Sequence, residues 1–265
     1  MRTSTRWLLA ALVIVAIALA FLLLEQSPEV VPPPPPAAPL ATEPAPVQAV
    51  PATPNVRFPV AEQPAEAPSL PALDQSDTSM RAGLAPLVGS QNFNDWFIPK
   101  ELIRRIVATI DNLPRQSAAR RLMPVRSMSG LMAVTGSGAE PAISPENFAR
   151  YLPFVALAES VDSSKVVALY LRHYPLFQQA YRELGFPQGY FNDRLIEVID
   201  HLLLTPEVKE PILLVQKKVL YQFADPDLES LSAGQKIMIR IGKANATRLK
   251  AKLREIRGQV VGNPD

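Results

Sequence analysis

Two groups of side chains have types and spacings that could do chemistry. Asp193, Glu197 and His201 recur at i, i+4 and i+8, which puts them on one face if the segment is helical. Carboxylate and imidazole are suitable ligands for a divalent cation, so this column is a candidate cation face. Its plainer reading is a solvated helix face with a Glu197–His201 contact. Glu159 and Asp162 form the second group, because glycoside hydrolysis needs two carboxylates held across a cleft. Asp162, however, stands where the next helix needs an N-cap. The chain has 2 histidines. His173 falls on an apolar arc and reads as a core histidine with a hydrogen-bond partner. No His-Glu-x-x-His, Gly-x-Ser-x-Gly or Gly-Lys-Ser/Thr pattern occurs. The count of cysteines is 0, which excludes disulfides, thiolate catalysis, zinc–thiolate sites and lipobox acylation. No catalytic, metal-binding or cofactor-binding residue is assigned, and the inventory leans away from an enzyme.

Glu159-Ser160 and Gly130-Leu131-Met132 are similar to fragments of lytic transglycosylase motifs. Their order is reversed relative to those enzymes, and glutamine does not follow Met132. A cell-wall glycan hydrolase or lyase using Glu159 or the Asp193/Glu197/His201 face is therefore the alternative, not the leading reading. Charge says more. Formal net charge is +2, but residues 1–75 carry −3 and the remainder +5. The excess lies in two stretches, 100–126 and 236–257. Arg115, Arg120, Arg121, Arg126, Arg248, Lys250, Lys252 and Arg254 are the candidate contacts for an anionic envelope partner or an acidic protein surface.

The elements that position these residues begin with an anchor. Trp7–Leu24 is an unbroken apolar run of 18 residues. At about 1.5 Å per residue it spans about 27 Å, close to the hydrocarbon thickness of a bilayer. Arg2 and Arg6 precede it, and Glu25 and Glu29 follow. The positive-inside bias then leaves residues 1–6 in the cytoplasm and the body outside, in a bacterial inner membrane with a periplasmic domain. A cleavable signal peptide fits less well, because Ala18-x-Ala20 lies inside the run. This topology excludes nucleic acid as a partner. Of the 28 prolines, 15 fall between Gln26 and Gln75. Proline lacks the backbone donor of a helix or central strand, so residues 25–76 read as a disordered Pro/Ala-rich linker with polyproline II character. Fully extended, it would reach roughly 155 Å.

Residues 77–262 read as one mainly α domain, an orthogonal helical bundle with at most a short β-hairpin. Trp96-Phe97-Ile98 is expected to open its core. A helix is expected over Pro99–Asn112, with Pro99 at the first position. Leu131–Thr135 suggests a hairpin arm, and Ser144-Pro145 reads as a helix start. The clearest segment is Ser163–Leu184, capped by Asp162. There Val166, Tyr170, His173, Tyr174, Phe177 and Tyr181 share one face, and Pro175 predicts a kink or a division into two helices. Asn192 is expected to cap a helix through Leu204. Ile212–Val215 and Val219–Tyr221 are extended candidates. Ser232–Ile241 and Ala244–Val260 complete the helices, and the narrow stripe Leu249, Leu253, Ile256 and Val260 is a candidate seam for a partner.

Several stretches resemble the bacterial domain-of-unknown-function family 3014. They include Asp111-Asn112-Leu113-Pro114-Arg115, Asn147-Phe148-Ala149-Arg150-Tyr151, Tyr174–Tyr181, Gly189–Leu195, Tyr221–Pro226 and Ser232–Lys236. The resemblance covers roughly residues 95–257 and departs at Lys217-Lys218, where proline-lysine is more typical. It implies an N-terminal anchor and a soluble domain, and it transfers no activity or catalytic residue. The expectation is a membrane-tethered, non-enzymatic binding or scaffold module of the cell envelope.

Overall fold

The structure is a computed structural model and describes residues 56–60, 69–126, 130–136, 140–217 and 220–262. The apolar run at 7–24 lies outside the described residues. Among the described residues no helix is long and apolar enough to cross a membrane.

The fold is mainly helical, as its periodicity requires. Helices α1 (Asp77–Val88), α2 (Ser90–Trp96) and α3 (Leu102–Asn112) come first. Then follow α4 (Pro145–Arg150), α5 (Leu152–Ser160), α6 (Ser163–Glu183) and α7 (Phe191–Leu203). The chain ends with α8 (Pro226–Ser230), α9 (Ala233–Arg240) and α10 (Lys243–Val261). Two antiparallel hairpins are present where at most one was expected. Strand β1 (Val134–Thr135) pairs with β2 (Ala142–Ile143), and β3 (Leu214–Lys217) pairs with β4 (Leu220–Phe223). The Ile143 amide donates to the Ile212 carbonyl and the Leu214 amide to that of Pro141, so the hairpins meet edge to edge. Ile143, Ile212, Leu214, Phe223 and Ile239 form a small second core beneath them.

The main core surrounds α6, which packs against α3, α7 and α10. The Asp162 carboxylate accepts from the Ser164 amide at 2.8 Å and so caps α6. Pro175 does not divide it: α6 is one helix of 21 residues, and Pro175 is exposed. The ring stands on the solvent face, where it displaces no core side chain. Gly185 ends the segment at φ 119°, a conformation that L side chains rarely adopt.

Four expectations change. The core opens before Trp96, since Met80, Leu84, Val88 and Phe93 are all buried. Pro86 and two glycines had hidden this periodicity. Helix α3 starts at Leu102, not Pro99, because its cap comes from a distant residue. The Asp77 carboxylate accepts from the Glu101 and Leu102 amides at 2.8 and 2.9 Å, with Glu101 at φ 54°. The stripe Leu249, Leu253, Ile256 and Val260 is buried against α5, α6 and α7, so it is core and not a partner seam. The folded body also extends N-terminally into the segment expected as linker. Leu73 is buried, and Phe58, Val60 and Leu70 pack on the main core.

Replacing Asp77 tests the distant cap. Asp77→Ala is expected to cost about 1–2 kcal/mol in urea unfolding, and Asp77→Asn less, since it keeps one acceptor oxygen. An Ala variant with the wild-type midpoint would refute the role.

Candidate functional site

The most organised polar arrangement on the domain lies where α7 begins beside α6. It grows from the aromatic stripe of α6. Tyr170, Tyr174, Phe177 and Tyr181 interlock with Phe191 and Tyr190 at ring-centroid distances of 5.3–6.4 Å. Burial brings the tyrosine hydroxyls inside, where each needs a partner. Tyr170 donates to Asn192 Oδ1 at 2.9 Å, and Tyr174 donates to Gln178 Oε1 at 3.0 Å. Gln178 also accepts from the Phe191 amide and donates to the Gly189 carbonyl. These bonds fix the turn into α7 and the side chains at its start. Burial raises the pKa of both Tyr170 and Tyr174, so both stay neutral and able to donate.

The outer ends of this network hold a segment of chain. The two Asp193 oxygens accept from the Arg57 and Phe58 amides at 2.9 and 2.8 Å. Asn192 Nδ2 donates to the Phe58 carbonyl at 2.9 Å, and Tyr190 Oη accepts from the Val60 amide at 2.7 Å. Residues 57–60 thus lie as a strap across the start of α7. Beside it is a cavity of about 330 Å³ lined by Asp111, Arg115, Tyr181, Phe186, Arg194 and Glu197, among others. Tyr181 and Phe186 stack at 4.6 Å. The buried Asp111 carboxylate accepts from Arg115 at 2.5 Å and Arg194 at 3.1 Å, and Arg194 also pairs with Glu197 at 3.2 Å. Asp111, Arg115, Tyr181 and Arg194 all come from stretches that carry the family resemblance.

The residues singled out by spacing take other roles. Asp193, Glu197 and His201 share α7 but not a task. Asp193 holds the strap, Glu197 pairs with Arg194, and His201 Nε2 bonds Ser232 Oγ at 2.8 Å. Among the described residues no group of three or more His, Asp or Glu side chains could hold a metal ion. Glu159 faces Arg248, whose Nε donates to it at 2.7 Å and whose Nη2 donates to its other oxygen. This bond holds the Glu159 carboxyl below its usual pKa. A general acid for glycan cleavage needs the opposite shift.

The basic candidates divide. Arg115 and Arg248 pair with Asp111 and Glu159, and Lys250 donates to the Thr205 carbonyl at 2.6 Å. Lys252 is buried and donates to the Val161 carbonyl at 2.9 Å, Ser163 Oγ and Glu255. Arg120 and Arg121 lie in a single 3-10 turn, and Arg126 and Arg254 are exposed.

Two functional residues were misread from sequence. Asn192 was expected to cap α7, but it lies within the helix, 0% exposed. Its position on the Leu195–Ile199–Leu202 stripe was the available signal, because a polar side chain on a buried face needs a dedicated partner. Asp193 contacts residues 135 and 136 positions away, and no local pattern encodes that.

Both histidines are hydrogen-bonded structural groups. His173 Nδ1 lies 3.0 Å from the Leu169 carbonyl, so it carries the proton there, and Nε2 accepts from Ser79 Oγ at 2.8 Å. Burial is the main cause lowering the pKa of His173 and of His201.

Comparison with known proteins gives one family. Residues 102–257 match the model of "Protein of unknown function (DUF3014)". No curated protein and no solved structure matches the chain.

The histidine shifts have a sign that can be tested. A base with a lowered folded pKa binds fewer protons folded than unfolded, so its contribution is complete above the ordinary value of 6.5 and is lost as pH falls below it. Glu159, Glu183 and Glu207, whose pKa values are lowered from 4.5, are lost only at more acid pH. The melting temperature is expected to drop between pH 7.5 and 5.5, and His173→Gln should flatten that drop. An unchanged slope in the variant would exclude His173 as its source.

Proposed function

We propose that this chain, which belongs to the DUF3014 family, is a tethered, non-enzymatic recognition module of the bacterial cell envelope. Its anchor is the run Trp7–Leu24 in the inner membrane, with the N-terminus cytoplasmic and the helical domain periplasmic. The support for this placement is the apolar run, the flanking charges and the proline-rich spacer.

The observation that carries the recognition reading is the use made of polar side chains at the start of α7. Asn192, Asp193 and Tyr190 converge on the main-chain atoms of another segment, an arrangement suited to binding. The hydrolase reading draws no comparable support. Its acids are engaged by Arg248, by Arg194 and by strap amides. The anionic or acidic partner proposed for the basic face is best sought at Arg126 and Arg254, which are exposed. Arg115, Arg248, Lys250 and Lys252 are committed to internal bonds.

Photo-crosslinking in whole cells tests this reading. Crosslinkers at Arg126 and Arg254 should capture a discrete envelope partner, and Arg126→Glu with Arg254→Glu should reduce capture at least several-fold. Absence of any captured species, or release of peptidoglycan fragments by the purified full chain, would overturn it.

A further inference from the structure

The strap contacts share one property that the fold does not require. Among the described residues, its hydrogen bonds to the domain use main-chain atoms: the amides of Arg57, Phe58 and Val60, and the carbonyl of Phe58. Pro59 is the one strap residue without an amide hydrogen, and it stands where no donor is needed. The side chains of Phe58 and Val60 add apolar contact with the core, and Arg57 lies 5.9 Å from the Phe58 ring centroid and is exposed. The site therefore asks for a backbone bent at positions 1 and 2, with donors at positions 1, 2 and 4, an acceptor at 2, and apolar side chains at 2 and 4. Few other restrictions on sequence follow.

The receiving groups are oriented from behind, independently of the strap. Tyr170 fixes Asn192 through Oδ1, which leaves Nδ2 directed outward as a donor. Gln178 holds the backbone at Gly189 and Phe191 on either side of Tyr190. Asp193 lies in the first turn of α7, where the helix dipole favours a carboxylate. This is a preorganised reader of peptide backbone, in which a side-chain carboxylate, amide and hydroxyl meet the main chain of a bent segment.

We propose that the start of α7 is a binding site for a peptide segment of another protein, bent at the two residues whose amides meet Asp193, with an apolar residue, a proline and a second apolar residue in sequence. Residues 57–60 are its resident intramolecular ligand, and the partner peptide enters by displacing them. The proposal rests on the recognition reading above and gives it a ligand chemistry. Eight residues separate Val60 from Ser69, where the described chain resumes. A short connection of that kind presents the strap at an effective concentration of about millimolar. A competing peptide must exceed that value or bind better, so the strap sets a threshold for the site. Displacement also returns residues 57–60 to the spacer that leads to the membrane run.

A labelled peptide with the sequence of residues 55–61 tests this, titrated by fluorescence anisotropy against the detergent-solubilised full chain. Wild-type protein should bind it only near the millimolar range, because the strap competes. Phe58→Ala with Val60→Ala in the protein should tighten binding at least tenfold, and adding Asp193→Ala should abolish the gain. A peptide N-methylated at the residue corresponding to Phe58 loses one of the two amides from which Asp193 accepts, and it should bind at least several-fold more weakly. That comparison leaves the protein unaltered, so misfolding cannot explain it. No binding to the strap-weakened protein at its normal melting temperature would overturn the proposal. So would equal binding of the N-methylated peptide, or dimers formed through exchange of straps between copies. None of these results bears on capture at Arg126 and Arg254, so failure of the groove and failure of the envelope reading are separable.

Discussion

The satisfaction of two buried tyrosine hydroxyls organises this molecule. Tyr170 is 1% exposed and Tyr174 8%, in the middle of the helix on which the main core is built. Their rings supply much of the apolar area that fastens α6 to α7, while each hydroxyl would cost about 1–3 kcal/mol if left unpaired. Pairing them requires polar side chains at fixed places, one on α7 and one a turn further along α6 itself. Asn192 and Gln178 fill those places, and in doing so they set the geometry of the Gly189–Asp193 turn. The groove is thus a by-product of core packing that acquired an outward-facing set of donors and acceptors.

What the sequence disclosed follows from the range of the interactions. Helix α6 was legible because its burial repeats at helical spacing and its cap, Asp162, is two residues from the amide it serves. Ser144-Pro145 was legible for the same reason. Helix α3 was misplaced by three residues because its cap, Asp77, lies 24 and 25 positions upstream of the amides it accepts from. The strap was invisible as structure. Its composition favours an extended chain, and the bend at Arg57 and Phe58 that it forms when docked is set by Asp193, far away in sequence. Only the groove distinguishes the two cases, and the groove is assembled from α6 and α7. The stripe on α10 was legible as apolar but not as interior. Lysines and arginines flank it, and their buried uses are tertiary: Lys252 reaches the Val161 carbonyl just beyond the end of α5.

That last point bears on how charge should be counted. A domain with a +5 excess reads as a basic surface, yet many of the cations act within the fold. Arg105 donates to the carbonyls of Lys100, Arg121 and Met123, tying the start of α3 to the 3-10 turn. Arg257 pairs with Asp200 across α10 and α7, and Arg104 bridges Asp74 and Glu183. Formal charge per stretch overstates the charge available to a partner whenever long basic side chains end on internal carbonyls or carboxylates. The surface that remains basic is narrower than either cluster in the sequence.

Magnitudes argue that the strap is held and yet exchangeable. Four hydrogen bonds contribute about 0.5–1.5 kcal/mol each, so about 2–6 kcal/mol together. Ordering four residues costs about 1–2 kcal/mol apiece, or about 4–8 kcal/mol, somewhat less where proline already restricts the chain. Partial burial of Phe58 and Val60 returns about 2–4 kcal/mol. The balance is within a few kcal/mol of zero, small beside the about 5–15 kcal/mol that separates a folded domain from its unfolded chain. A local segment with so small a balance opens and closes without unfolding the domain beneath it. The groove itself stays formed when the strap leaves, because Tyr170 and Gln178 hold it from the opposite side. Stable receptor and marginal occupant are the two conditions that make competition at such a site physically available.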